Sequence, residues 1–245
     1  MQQLKNPPII EAVLSIELAP VDFDPSKLKE IYPSIQDVFQ NPKDIKAAKL
    51  EMQNVFSPDG ATRITDQGIV GYRFDSLDQA KALQLYQNAY YYSSLGQYKG
   101  WENFKEEAQK YWRLYTNIRF NSLPRKLRIR YTNLIKIPLL GGKVDIDEYL
   151  RLGPKEPLEK KFLLSQFVCK NTLMDESGKF VIDLILADQK TNDPNHLFVL
   201  IDIQVNHSVK EDEVLDPFGE PLEQMRDLKN KIFFDSITNK TVEMY

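Results

Sequence analysis

RIRYTNLIKIP, residues 128–138, alternates with a period of two. Ile129, Tyr131, Asn133, Ile135 and Ile137 fall on one side, and Arg128, Arg130, Thr132, Leu134 and Lys136 on the other. That period marks a β-strand with one buried and one wetter face. The apolar side includes an amide, so Asn133 is expected to satisfy a neighbouring backbone group or to mark a seam in the fold. The cations opposite either pair with acids of the same chain or face a partner. Pro124 and Pro138 bound the strand.

Upstream, PPIIEAVLSIEL (7–18) predicts another strand, with Ile10, Ala12, Leu14, Ile16 and Leu18 sharing a face. Asp24 as N-cap and Pro25 at the first helical position then open a helix along Leu28, Ile31, Tyr32, Ile35, Val38 and Phe39, which Pro33 must kink or split. Three strands are expected at 46–56, 61–74 and 80–92, the first two joined by a turn at SPDG (57–60). From Trp101 to Arg119 the spacing is helical, with Trp101, Phe104, Ala108, Tyr111, Trp112 and Tyr115 on one stripe. Such a stripe is more often core than ligand box, although Tyr and Trp there can line a pocket between two halves of a fold.

Downstream, GGKVDIDEYL (141–150) predicts a loop and a short helical turn capped by Asp145 or Asp147. A Pro-bearing connection, LGPKEPLEK (152–160), follows it. Strands follow at 162–174, 179–188 and 196–208, the first two joined at DESG. A last long helix starts near Asp216-Pro217 and buries Leu222, Met225, Leu228, Ile232 and Phe233. Residues 1–121 and 122–245 thus share one order: strand, helical segment, three strands, long helix. The expected fold class is α+β, with two similar halves, as two units or one continuous domain. Antiparallel sheets would each be covered on one face by the long helices.

The set PPIIEAVLSIEL, GYRFDS (71–76), YKGWENF (98–104), RIRYTNLIKIP with DIDEYL, LIDI (200–203) and FFDSIT (233–238) resembles an uncharacterised, sporadically distributed prokaryotic family of about this chain's length. The resemblance covers most of the chain and rests on the order of the motifs. It departs at Arg128, where a small residue is expected. It implies no particular reaction, cofactor or catalytic residue, and it suggests an accessory or defence-linked setting.

With 32 Lys plus Arg against 35 Asp plus Glu, the chain has no overall field to draw nucleic acid or an anionic membrane, so any such binding must be local. The first residues carry Glu11 and Glu17 within their apolar run, unlike a signal peptide, and no membrane partner is expected. Cys169 is the only cysteine, which excludes an internal disulfide and makes the cytoplasm the expected compartment.

Few routes to catalysis remain. His196 and His207 stand at opposite ends of one strand, roughly 36 Å apart at about 3.3 Å per residue, and Cys169 lies in an apolar strand. No GxSxG, HExxH or P-loop is present, and one Cys with two His cannot close a zinc site. No catalytic residue and no cofactor are therefore expected. The surviving enzymatic alternative is a carboxylate-based, metal-dependent hydrolase using Asp183 and Asp202, near Gln204 and Asn206. The plainer reading pairs those acids with Arg128 or Arg130.

The favoured expectation is a binding or regulatory protein. Its partner surface would use Arg73, Arg125, Lys126, Arg128, Arg130 and Lys136, with Tyr90 and Tyr92 as aromatic neighbours. An acidic protein or self-association is the first partner class and nucleic acid the second, because cations beside aromatics on a sheet also suit single strands. An acidic segment, Glu211, Asp212, Glu213, Asp216, Glu220 and Glu223, is expected to neutralise the basic run within the fold or between subunits.

Overall fold

The computed structural model describes residues 4–52, 62–96, 98–120, 122–154, 166–211 and 213–245. The SPDG turn, the adjoining strand residues 53–56 and 61, residues 155–160 of the Pro-bearing connection, strand residues 162–165, and Asp212 lie outside them. The strands are β1 (Ile9–Leu18), β2 (Lys43–Met52), β3 (Thr62–Asp75), β4 (Lys81–Tyr86), β5 (Ala89–Leu95), β6 (Pro124–Pro138), β7 (Val168–Met174), β8 (Phe180–Gln189) and β9 (His196–Ser208). The helices are α1 (Trp101–Ile118), α2 (Glu220–Ser236) and α3 (Asn239–Val242), with 3-10 segments at Pro25–Ser34 and Ile146–Glu148.

All nine strands form one antiparallel sheet, in the order β2-β3-β4-β5-β1-β6-β9-β8-β7. This corrects the expectation of separate sheets. β1 and β6, the opening strands of the two halves, pair at the centre, from Ile9 opposite Asn133 to Leu18 opposite Pro124. β5 and β9, the last strands of the halves, flank that pair.

A second correction concerns residues 80–92, which form a hairpin rather than one strand. β4 buries Leu83 and Leu85, at odd positions, whereas β5 buries Tyr90 and Tyr92, at even ones. Strand alternation cannot change phase without a break, and the chain turns at Gln87-Asn88, with Tyr86 opposite Ala89.

The segment after Asp24 is a 3-10 helix rather than an α-helix. Asp24 caps it, accepting from the Ser26 amide at 2.9 Å. Pro33 lacks the N–H that an α-helix would use there, so the turns tighten. α1 buries the six stripe residues anticipated above. α2 begins at Glu220, after a turn in which Asp216 accepts from the Phe218 amide. Its buried residues include Leu222, Met225, Lys229 and Phe233, spaced three and four apart. Leu228 and Ile232 are only partly buried.

The helices pack on the sheet face that carries Leu14, Tyr90, Tyr92, Ile129, Tyr131, Ile203 and Val205, all essentially inaccessible to solvent. Tyr90 and Trp112 meet edge to face at 5.4 Å, and the Tyr90 hydroxyl donates to the Ala108 carbonyl at 2.7 Å. Asn133 takes the first role anticipated for it, its Nδ2 donating to the Ile201 carbonyl at 3.1 Å. It also sits on the central β1–β6 seam, beside the register shift between Ile9 and Glu11. Among the described residues, no helix is long and apolar enough to cross a membrane.

Candidate binding face

The opposite face of the sheet carries no packed helix among the described residues. Its side chains form rows across the strands, as the registers dictate. One row runs Arg73, Gln84, Tyr91, Ser15, Arg128, Asn206, Val181. The next runs Val13, Arg130, Gln204, Asp183, Thr172. Neighbours in a row are the cross-strand pairs that interact most closely.

Most of the anticipated cations are already engaged. Arg130 grips Asp202 through two nitrogens, Nε at 2.9 Å and Nη2 at 2.6 Å, and Glu11 lies at 4.0 Å. The hydrogen bonds to Asp202 raise the Arg130 pKa further, ahead of the opposing effect of burial. Arg128 donates to Asn206 at 3.0 Å and to Glu17 at 3.2 Å. Arg73 and Lys43 both bind Asp75 at 2.7 Å. Burial pushes the Asp75 carboxyl up, but those two donors outweigh it and hold the pKa below the ordinary value. Lys136 lies 3.5 Å from Asp193.

These counter-ions come from β1, β3, β9 and the loop before β9. Among the described residues, the acidic segment forms no ion pair with these cations, although its Glu213 lies on the wall of one groove with Lys126 and Lys210. Glu223 of that segment instead accepts from Lys105 at 2.6 Å and from Trp101 Nε1 at 3.0 Å.

Tyr90 and Tyr92 are removed from the candidate surface. They point into the helix-covered core, so neither can stack on a ligand at the other face. Tyr86 and Tyr91, edge to face at 5.6 Å, are the aromatic pair on the polar side.

Asp183 and Asp202 share the polar face, as anticipated, on neighbouring strands. Asp202 is committed to Arg130, as the plainer reading supposed. Asp183 accepts from Thr172 at 2.9 Å, Asn206 at 3.2 Å and Gln204 at 3.3 Å. Among the described residues, no three His, Cys, Asp or Glu side chains stand together as a metal site would require. His196 and His207 occupy opposite ends of β9, and the His207 ring lies tilted against Phe180, 5.3 Å between centroids.

Four cations of this region have no acid partner among the described residues: Arg125 and Lys126 on β6, Lys179, which donates to the Gln224 amide oxygen at 2.9 Å, and Lys210 just after β9. Lys126, Lys179 and Lys210 line a groove of about 710 Å³ at the end of β6, β8 and β9, with Asp183, Asn206 and Glu213 also on its walls. Arg125 reaches only the Lys210 carbonyl, at 3.4 Å. Lys210 was not among the anticipated contacts. Its signal was position, since it follows His207 and Ser208 at the end of the strand that pairs with Lys126.

No family model matches this chain, and no curated protein matches it.

Proposed function

We propose that the chain is a non-enzymatic binding or regulatory protein that holds an acidic protein segment on its polar sheet face, in the groove beside Lys126. The observation that carries this reading is the contrast in charge pairing. Arg73, Arg128, Arg130 and Lys136 are paired with acids of the chain, whereas Lys126, Lys179 and Lys210 line one groove without an ion pair among the described residues and outnumber its two acids, Asp183 and Glu213. Unpaired charge beside a concavity steers and orients an oppositely charged partner. A protein segment suits the site better than a nucleic-acid strand. Stacking needs exposed rings near the cations; Tyr90 and Tyr92 are buried, and neither Tyr86 nor Tyr91 lines the groove.

Among the described residues the halves differ by one strand, five against four, which corrects the expected common order. An internal duplication is supported only by the placement of both opening strands at the centre of the sheet, each flanked by the last strand of its half.

Fluorescence anisotropy with a labelled polyglutamate peptide at low salt tests the groove, with labelled oligothymidylate as the competing ligand. The peptide is expected to bind the wild-type protein, and the Lys126→Glu/Lys210→Glu variant to bind it about tenfold more weakly or worse. Equal peptide binding by both proteins removes the groove as the site. Tighter binding of the oligonucleotide reassigns the partner to nucleic acid.

A further inference from the structure

A second concavity lies on the helix side of the sheet and takes no part in the face described above. It has a volume of about 430 Å³ and is bounded by the chain entering β1, the N-terminal end of α1, Asn133 of β6 and one side of α2. Pro7, Pro8, Trp101, Phe233 and Phe234 give it apolar walls. Its charged lining is entirely basic: Lys5, Lys99, Arg226 and Lys229, with no Asp or Glu. Arg226 shares its charge with Glu223, 3.2 Å away, and lies over the Trp101 ring at 5.6 Å. Among the described residues, no carboxylate pairs with Lys5, Lys99 or Lys229.

Lys229 is the unusual member. It is only 8 % exposed, yet it has no hydrogen-bond acceptor and no carboxylate among the described residues. Its ammonium rests on the Tyr131 ring, 4.0 Å from the centroid. The Tyr131 hydroxyl is taken by Tyr98 at 3.1 Å, so it is already engaged with another hydroxyl. A cation held in an apolar setting without a counter-ion is costly, and an anionic ligand entering beside it relieves that cost. Burial, with Arg226 adding repulsion, lowers the Lys229 pKa to about 7.

The end of α1 points the same way. Gly100 provides no side-chain cap, and Gly100 and Trp101 both line the concavity. The first amides of an 18-residue helix therefore stand at its wall, where the helix dipole favours negative charge.

We infer that this concavity binds a small organic anion, with a phosphate or carboxylate head directed at Lys229 and an apolar, preferably aromatic, body against Trp101, Phe233 and Phe234. A volume of this size fits a small molecule rather than a polypeptide. The site is independent of the groove at Lys126, so the failure of either reading leaves the other standing.

Calorimetry at pH 7 with phenyl phosphate, benzoate and inorganic phosphate tests it on the full chain. At least one of the two aromatic anions is expected to bind, and the preferred one identifies the head group. Inorganic phosphate, lacking the apolar body, is expected to bind more weakly than phenyl phosphate. Lys229→Met should weaken the aromatic anion by about tenfold or more, since it removes a desolvated charge at the contact. Lys99→Glu, at an exposed position on the wall, should weaken it in the same direction and guards against misfolding of the core variant. Absence of heat with both aromatic anions overturns the inference. So does unchanged affinity in a folded Lys229→Met protein, or inorganic phosphate binding as tightly as phenyl phosphate.

Discussion

The unfolding free energy of the wild-type protein is expected to rise by about 2 kcal/mol between pH 7 and pH 9, and the Lys229→Met variant to lack that rise. In the folded protein the Lys229 pKa is lowered to about 7 from an ordinary value of 10.5, with burial the larger cause and Arg226 the smaller. Between those values the unfolded chain holds a proton that the folded chain has released, so raising the pH favours the folded state. Below about pH 7 both states are protonated at this lysine and the full penalty is present.

The groups around Lys229 do not reverse this sign. Arg226 faces Lys229 with a guanidinium. Burial holds Tyr131 well above its ordinary value and pushes Tyr98 up to about 12, so both remain neutral across the window. Glu223 is held below its ordinary value by Lys105, Arg226 and Trp101 against the opposing effect of burial, so it stays ionised. Lys5 and Lys99, on the wall of the same concavity, add only positive charge. Urea unfolding at three pH values for both proteins measures the difference. A wild-type profile that is flat or falling over this range contradicts the buried cation.

Arg119→Ala is expected to destabilise the protein by about 3 kcal/mol or more, with Arg119→Lys falling between it and wild type. Arg119 ends α1 and has no solvent exposure. Its guanidinium donates to the Gln87 carbonyl at 2.7 Å, the Phe120 carbonyl at 2.8 Å and the Ala19 carbonyl at 3.3 Å, and it lies over Phe23. One side chain thus ties the β4–β5 turn and the exit of β1 to the negative end of α1. Alanine leaves three carbonyls without that donor and opens a space in the packing, whereas lysine keeps the charge but lacks the planar fork. Urea denaturation measures both variants, and a loss below about 0.5 kcal/mol for alanine would mean that the carbonyls find other partners.

The legible parts of this fold are those written in local periodicity. The alternation in RIRYTNLIKIP, the stripe from Trp101 to Tyr115 and the capped turn at Asp145 each match the structure, because each depends on contacts within a few residues. Joining the strands into one sheet depends on β1 meeting β6, more than a hundred residues away, and no local pattern encodes that pairing.

The errors about the site share a cause with one error about the fold. Continuing the alternation from Leu83 and Leu85 through residues 80–92 sends Tyr90 and Tyr92 to the polar face. The turn at Gln87-Asn88 sends them into the core instead. A phase change in the apolar pattern was the available signal, without the Asn-Gly or Asp-Gly that usually announces a hairpin. Lys229 was hidden differently. The spacing of Leu222, Met225 and Phe233 places it on the buried stripe of α2, but a lysine there is ordinarily assigned to solvent. The two carboxylates were placed on one face, and the pairing of Asp202 with Arg130 follows the plainer reading, whereas Asp183 bonds Thr172, Gln204 and Asn206 rather than an arginine.

The proposal that the polar sheet face is the binding surface is tested most directly by mapping amide chemical shifts of isotope-labelled protein titrated with the polyglutamate peptide. The shifts are expected to cluster at residues 124–128, 179–183 and 204–210, around the groove that Lys126 and Lys210 share. Shifts confined to α1 and α2, or spread evenly over the surface, would contradict it.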